Sequence, residues 1–166
     1  MLIKSRIFQT PNNSQKGFTL IEILVAIAII AILLALSAFG FQGAMENTRD
    51  TRRKSDLKQY QTALEQYANK NNGFYPGRTG GTDAHSTLCG YLSMTNCPND
   101  PTYNSATGTP IYRYFTSDGG NTGLPQATTN VLWSIIEATS ATDYWVVCSN
   151  GKSGLTTSSP SGTCPL

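Results

Sequence analysis

The sequence predicts an α+β chain. One long N-terminal helix, membrane-spanning at its start, continues into a small head with a three-stranded antiparallel sheet. Three observations predict it. Residues 18–41 form an apolar run of 24 residues without Lys, Arg, Asp or Pro. Residues 45–71 contain neither Pro nor Gly and carry apolar side chains at helical spacing. Beyond residue 110, three runs rich in strand formers are separated by Gly- and Asn-containing turns.

As a helix at about 1.5 Å per residue, residues 18–41 reach roughly 36 Å, enough for a hydrocarbon core of about 30 Å. A secretory signal peptide has an apolar region of about 7–15 residues, so the run is long for one. A plain signal anchor, or a signal peptide cut near Ala38, explains the hydrophobicity but not Glu22, the one acid within the run. An isolated carboxylate near the end of a membrane helix is unfavourable unless it has a partner.

Lys4, Arg6 and Lys16 precede the run, and Arg49, Arg52, Arg53 and Lys54 follow it. Basic residues on both sides leave orientation open. The cysteines decide it better. Cys89, Cys97, Cys148 and Cys164 all lie on the C-terminal side, an even number in a turn-rich region. That favours an oxidising space there and a cytoplasmic leader. The nearest-neighbour pairing is 89 with 97 and 148 with 164, although four cysteines allow three pairings. A zinc site made of all four lacks the usual short CxxC spacing.

Leu57, Tyr60, Leu64 and Tyr67, with Ala63 and Ala68, recur every three or four residues and define one helix face. Lys58, Gln59, Glu65, Gln66 and Lys70 fall largely elsewhere. The stretch 46–56 is polar on all sides and is expected to be solvated or to lie at lipid headgroups. Asn71-Asn72-Gly73 reads as a helix stop. Residues 77–110 read as loop with a short helix near 86–93. Strands are expected over 111–116, 131–138 and 144–148, the last two as a hairpin. Thr156 to Leu166 is Ser/Thr/Pro-rich and would be loose without Cys164.

The order basic leader, Gly17-Phe18-Thr19-Leu20-Ile21-Glu22, long apolar helix resembles the prepilin signature of type IV pilins and of the major pseudopilins of type II secretion. Leu57, Ala63-Leu64, Tyr67, Asn72-Gly73 and Tyr75-Pro76 resemble the end of the long helix in the same proteins. The resemblance implies three parts. Residues 1–17 are a leader that is removed. Residues 18–71 form the long helix, with 18–41 in the membrane or the filament core. Residues 72–166 form the head. It implies cleavage between Gly17 and Phe18 by a prepilin peptidase, which then methylates the new amine. It implies that Glu22 pairs with the Phe18 ammonium of a neighbouring copy and sets axial register. The implied partners are copies of the chain, an assembly platform, minor pilins and the membrane. The implied itinerary is a single-pass precursor in the inner membrane, then a filament at the cell surface. The expected function is a structural filament subunit of pilus type, not an enzyme. The alternatives are a major pseudopilin of a secretion apparatus, or a DNA-uptake or adhesion pilin.

Two departures shape this expectation. Many pilins carry a helix-breaking Pro near residues 40–43, where this chain has Gly40 and Gly43. Either these glycines give a small-residue contact face with Ala44, or the helix unwinds there in a filament, and the second is preferred. Major pseudopilins typically hold calcium with acidic C-terminal loops, yet residues 144–166 contain no Asp or Glu. That favours pilin over pseudopilin.

The remaining chemistry is sparse. His85, beside Asp83 and Ser86, belongs to no nucleophile-elbow motif. Asp118 and Asn121 do not have EF-hand spacing. No cofactor or metal is expected. Losing the leader removes three of 12 basic residues and none of the 10 acidic ones, so the remainder is formally −1. Arg78, Arg113 and Lys152 are the only basic residues of the head, and nucleic acid is not expected as a partner.

Overall fold

The computed structural model describes residues 17–139 and 143–166, and of residues 38–40 only the helical backbone. It divides into two units, one ending at Phe41 and one spanning Gln42–Leu166. Helix α1 runs Leu20–Lys70 and contributes to both. Residues 1–16 of the expected leader lie outside the described residues.

In the first unit every side chain from Leu20 to Ser37 is exposed. That window has a mean hydropathy of 3.0 and is long enough to cross a membrane. Among the described residues no core forms there, because a helix without a packed neighbour has nothing to bury its side chains against.

In the second unit Leu57, Tyr60, Leu64 and Ala68 form the buried stripe of α1. It packs on α2 (Ala84–Leu92) and on one face of a five-stranded antiparallel sheet. The sheet order is β2 (Thr82–Asp83), β3 (Arg113–Thr116), β5 (Asn130–Ile135), β6 (Tyr144–Cys148), β7 (Ser153–Thr156). β1 (Tyr75–Pro76) and β4 (Pro125–Ala127) make a separate two-stranded sheet. In β5 and β6, Leu132 pairs with Val147 and Trp133 with Val146. Alternate residues therefore face α1 or the opposite side, where Val131, Trp133, Val146 and Cys148 make a second cluster.

The helix ends as its sequence dictates. Asn72 takes a left-handed φ of 55°, and the Gly73 amide donates to the Ala68 carbonyl at 2.8 Å. This is a Schellman-type stop. Three core tyrosines satisfy their hydroxyls: Tyr60 on the Pro98 carbonyl (2.7 Å), Tyr112 on Asp56 (2.7 Å) and Tyr114 on the Pro76 carbonyl (2.9 Å).

The fold class is α+β as expected, with more strands. β7 is Ser-Gly-Leu-Thr and β2 only two residues, neither apolar enough to register as a strand by pattern. The expected strand 131–138 stops at Ile135, because the Glu137 and Ala138 amides donate to Asp50 instead of continuing the ladder. The expected solvation of residues 46–56 is wrong. Asp50, Arg53 and Asp56 are buried, and they continue the stripe of Leu57, Tyr60 and Leu64 at the same spacing of three and four.

Candidate assembly site

The N-terminal site begins with Gly17, which has open space around it, and Phe18, 84% exposed. Thr19 and Glu22 then form a reciprocal cap. The Glu22 amide donates to Thr19 Oγ1 at 3.3 Å. Glu22 Oε2 accepts from the Thr19 amide at 2.9 Å and from Thr19 Oγ1 at 2.7 Å. A Thr and a Glu three residues apart satisfy helix-start donors in this way. The Thr-x-x-Glu spacing was the sequence signal for it. Glu22 thus has a partner within its own chain. Among the described residues its Oε1 accepts no hydrogen bond, so one carboxylate oxygen remains available to another group.

Helix α1 continues through Gly40 and Gly43. A Cβ at Gly43 would meet nothing within 4 Å. The surroundings of Gly40 lie outside the described residues.

In the head, a buried ionic cluster ties α1 to two loops. The Arg53 side chain is 2% exposed and donates to Asp50 (2.7 Å), Asp100 (2.7 Å) and Thr102 (3.0 Å). It also pairs with Glu137, as does Arg49. Asp100 in turn accepts from the Thr102 amide (2.9 Å), which fixes the 98–102 loop. Burial would lower the Arg53 guanidinium, but its carboxylate partners outweigh burial and hold it further above its usual value. Burial opposes ionisation of Asp50, yet the Ala138 and Glu137 amides and Arg53 bring it below the ordinary carboxylate value. Glu137 is likewise lowered, by Arg49 and Arg53 against burial. Asp56 goes the other way: burial raises it despite the bond from Tyr112.

The disulfides are Cys89–Cys97 and Cys148–Cys164. The first joins α2 to the loop that enters the 98–102 segment. The second joins β6 to the C-terminal tail.

Other candidates have structural roles. The Asp83 carboxylate caps α2 by accepting from the His85 (3.1 Å) and Ser86 (3.2 Å) amides. Asp118 accepts from the Thr128 amide at 2.8 Å, and the Asn121 carbonyl accepts from Arg78 at 2.8 Å. Arg78 also donates to the Tyr91 hydroxyl at 2.8 Å. No group of three or more His, Cys, Asp or Glu residues placed for a metal occurs among the described residues.

An apolar helix opened by Gly-Phe-Thr-Leu-Ile-Glu is matched among known proteins. Residues 12–38 match the model of the prokaryotic N-terminal methylation motif. The type IV major alpha-pilin of Moraxella bovis is 42% identical over 53 residues, 32% of this chain and 33% of that protein. The type II secretion system core protein G of Klebsiella michiganensis is 31% identical over 114 residues, 69% of this chain and 68% of that protein. The chain belongs to the type IV pilin and pseudopilin family. A second core protein G, from Aeromonas hydrophila, is 37% identical over 70 residues, 42% of this chain and 48% of that protein. The chain spans about a third of the length of the pilins it matches. No solved structure matches significantly. The matched motif falls on the exposed apolar part of α1, and the pilins and pseudopilins of this family are structural subunits.

Proposed function

We propose that the chain is a structural subunit that enters the inner membrane as a precursor, is cleaved after Gly17 and polymerises through its N-terminal helix into a filament at the cell surface. Residues 1–17 are the leader, 18–71 the assembly helix and 72–166 the head that faces outward. The observation that carries this reading is the fully exposed apolar surface of residues 20–37 directly behind the methylation motif. Such a surface requires lipid or other helices around it. Cleavage gives Phe18 a free amine, then a methylated one. The Glu22 oxygen not engaged by Thr19 receives that ammonium from a neighbouring copy. Pairing at low dielectric stabilises both groups, and fixed spacing of the pair sets axial register. Gly40 and Gly43 are the positions where α1 unwinds on assembly. A prepilin peptidase, an assembly platform and minor pilins complete the machinery.

Terminal peptide mass spectrometry tests the processing. The mature chain is expected to begin at an N-methylated Phe18 and to keep residues 18–41. A mature start near Phe39 overturns the proposal. Glu22→Ala tests the registration: mature protein accumulates in the membrane, the head is unchanged, and few or no filaments form. Normal filament number and length would refute the role of Glu22.

A second reading, a major pseudopilin, is favoured by one observation. The match to core protein G runs over 114 residues, whereas the match to the Moraxella pilin runs over 53. Electron microscopy of filaments sheared from native cells, with mass spectrometry of their subunits, separates the two. Abundance of this chain in long fibres supports the pilus.

A further inference from the structure

We propose that residues 157–166 are a cover for the outer face of the five-stranded sheet, latched by the Cys148–Cys164 disulfide and released when that bond opens. The outer face has an apolar cluster of its own. Val131, Trp133, Val146 and Cys148 form it, with Phe115 and Tyr144 at its margin. The Trp133 and Tyr144 rings meet edge to face at 5.0 Å. The tail closes on this cluster. Cys164 packs against it, and Pro160 and Gly162 are buried. Gly162, at φ 95°, runs so close to β3 that a Cβ there would lie 3.3 Å from the Thr116 carbonyl oxygen.

The tail lacks main-chain pairing. Among the described residues no backbone–backbone hydrogen bond joins 157–166 to the rest of the head. Its long-range polar attachments are Lys152 Nζ to the Leu166 carbonyl at 3.3 Å and the weak contact of Asn150 Nδ2 with Cys164 Sγ at 4.0 Å. The entropy of ordering the segment is therefore opposed by the disulfide and a few apolar contacts, unlike that of a strand held by its ladder.

The two sulfurs differ in access. Cys148 is 1% exposed, whereas Cys164 is half-buried at the surface. A thiolate of an external dithiol attacks Cys164 Sγ. The S–S bond breaks, and Cys148 leaves as a thiolate that takes up a proton. The second thiol of the reductant then displaces Cys164. Two protein thiols and a cyclic disulfide of the reductant result, with two electrons transferred. Release of the tail uncovers Phe115, Trp133 and Tyr144, side chains of the kind enriched at protein interfaces. Cys89–Cys97 is not part of this cluster.

The test uses the full chain in detergent, with Trp145→Phe leaving Trp133 as its sole tryptophan. On reduction with dithiothreitol, acrylamide quenching of Trp133 is expected to rise severalfold. Cys148 is expected to alkylate as fast as Cys164, while the sheet's far-ultraviolet circular dichroism stays unchanged. Cys164→Ser should show the same quenching without reductant, and Cys89→Ser/Cys97→Ser should leave Trp133 shielded. Two results overturn the proposal. One is a Trp133 that stays shielded, with slow labelling of Cys148, after reduction. The other is cooperative loss of the sheet signal, which would make the bond a staple of the whole head.

Discussion

Between Leu20 and Ser37, helix α1 carries apolar side chains that are exposed; Ile27 is 60% and Leu33 58% exposed. Between Asp50 and Asp56 the same helix carries charged side chains that are buried; Asp50 is 3% and Arg53 1% exposed. Hydropathy and burial are inverted along one continuous element. Burial needs a second surface. Residues 20–37 have none among the described residues, so their apolar side chains stay exposed; the proposed filament or membrane would supply one. Residues 50–64 have α2, the sheet and two loops over them, and the charged turn survives burial because each charge has an opposite partner. A buried ion pair of this kind adds little net stability over an apolar substitute, but losing one partner is costly. It does fix where the 98–102 and 136–138 loops dock.

The sharpest way to break the comparison is to remove the central charge. Arg53→Ala leaves Asp50, Asp100 and Glu137 facing one another and should destabilise the head by about 3–5 kcal/mol. Urea unfolding followed by tryptophan fluorescence measures it. An effect no larger than that of a surface substitution would mean that the cluster is solvated after all.

The apolar counterparts come next. Leu64→Ala should cost the head about 2–5 kcal/mol through a cavity in its core. Ile27→Ala removes as large a side chain, yet should leave the same unfolding transition in place, because Ile27 is 60% exposed and belongs to the other unit. Its effect belongs to membrane retention or filament yield. Equal shifts in the head's urea midpoint would erase the distinction between the two halves.

Acid should act through the cluster. Asp50 and Glu137 titrate below their unfolded values of about 3.9 and 4.3, so the stability they contribute is present above those values and lost as pH falls through the lowered folded ones. Asp56 has the opposite sign. Its raised folded value means that its contribution is present at low pH and lost as pH rises. Asp50→Asn should flatten the acid limb of a urea-midpoint against pH curve. Asp56→Asn should relieve a small penalty at neutral pH. At the alkaline end, burial and Glu65 push the Tyr75 hydroxyl up to about 12. Its contribution is therefore lost as pH rises from about 10 toward that value.

The smallest effect is expected at the residue next to Arg53 on the same helix. Arg52 lies 3.9 Å from Asp56 with its side chain 64% exposed. Arg52→Ala should change stability by less than about 1 kcal/mol. Arg52 and Arg53 are adjacent in sequence, so the contrast between them isolates burial from charge.

The sequence by itself determined the long helix, its stop at Asn72-Gly73, the core stripe and the α+β class. Each rests on local spacing or backbone chemistry that no distant contact overrides. The methylation motif was equally local, a string of consecutive residues. The Thr19–Glu22 cap was written in the spacing too, but which carboxylate oxygen it engages appears only when the side chain is placed. The tertiary structure alone decided the burial of Asp50, Arg53 and Asp56. A polar turn reads as solvated until Asp100 and Glu137, dozens of residues away, are brought against it. It decided the end of β5, where Asp50 takes the amides that would have continued the strand. It also decided the edge strands β2 and β7, whose short polar sequences become strands only because β3 and β6 offer them an unpaired edge. Long-range pairing leaves no period in the local sequence, and so the sheet's edges and the charged turn are where pattern gives way to contact.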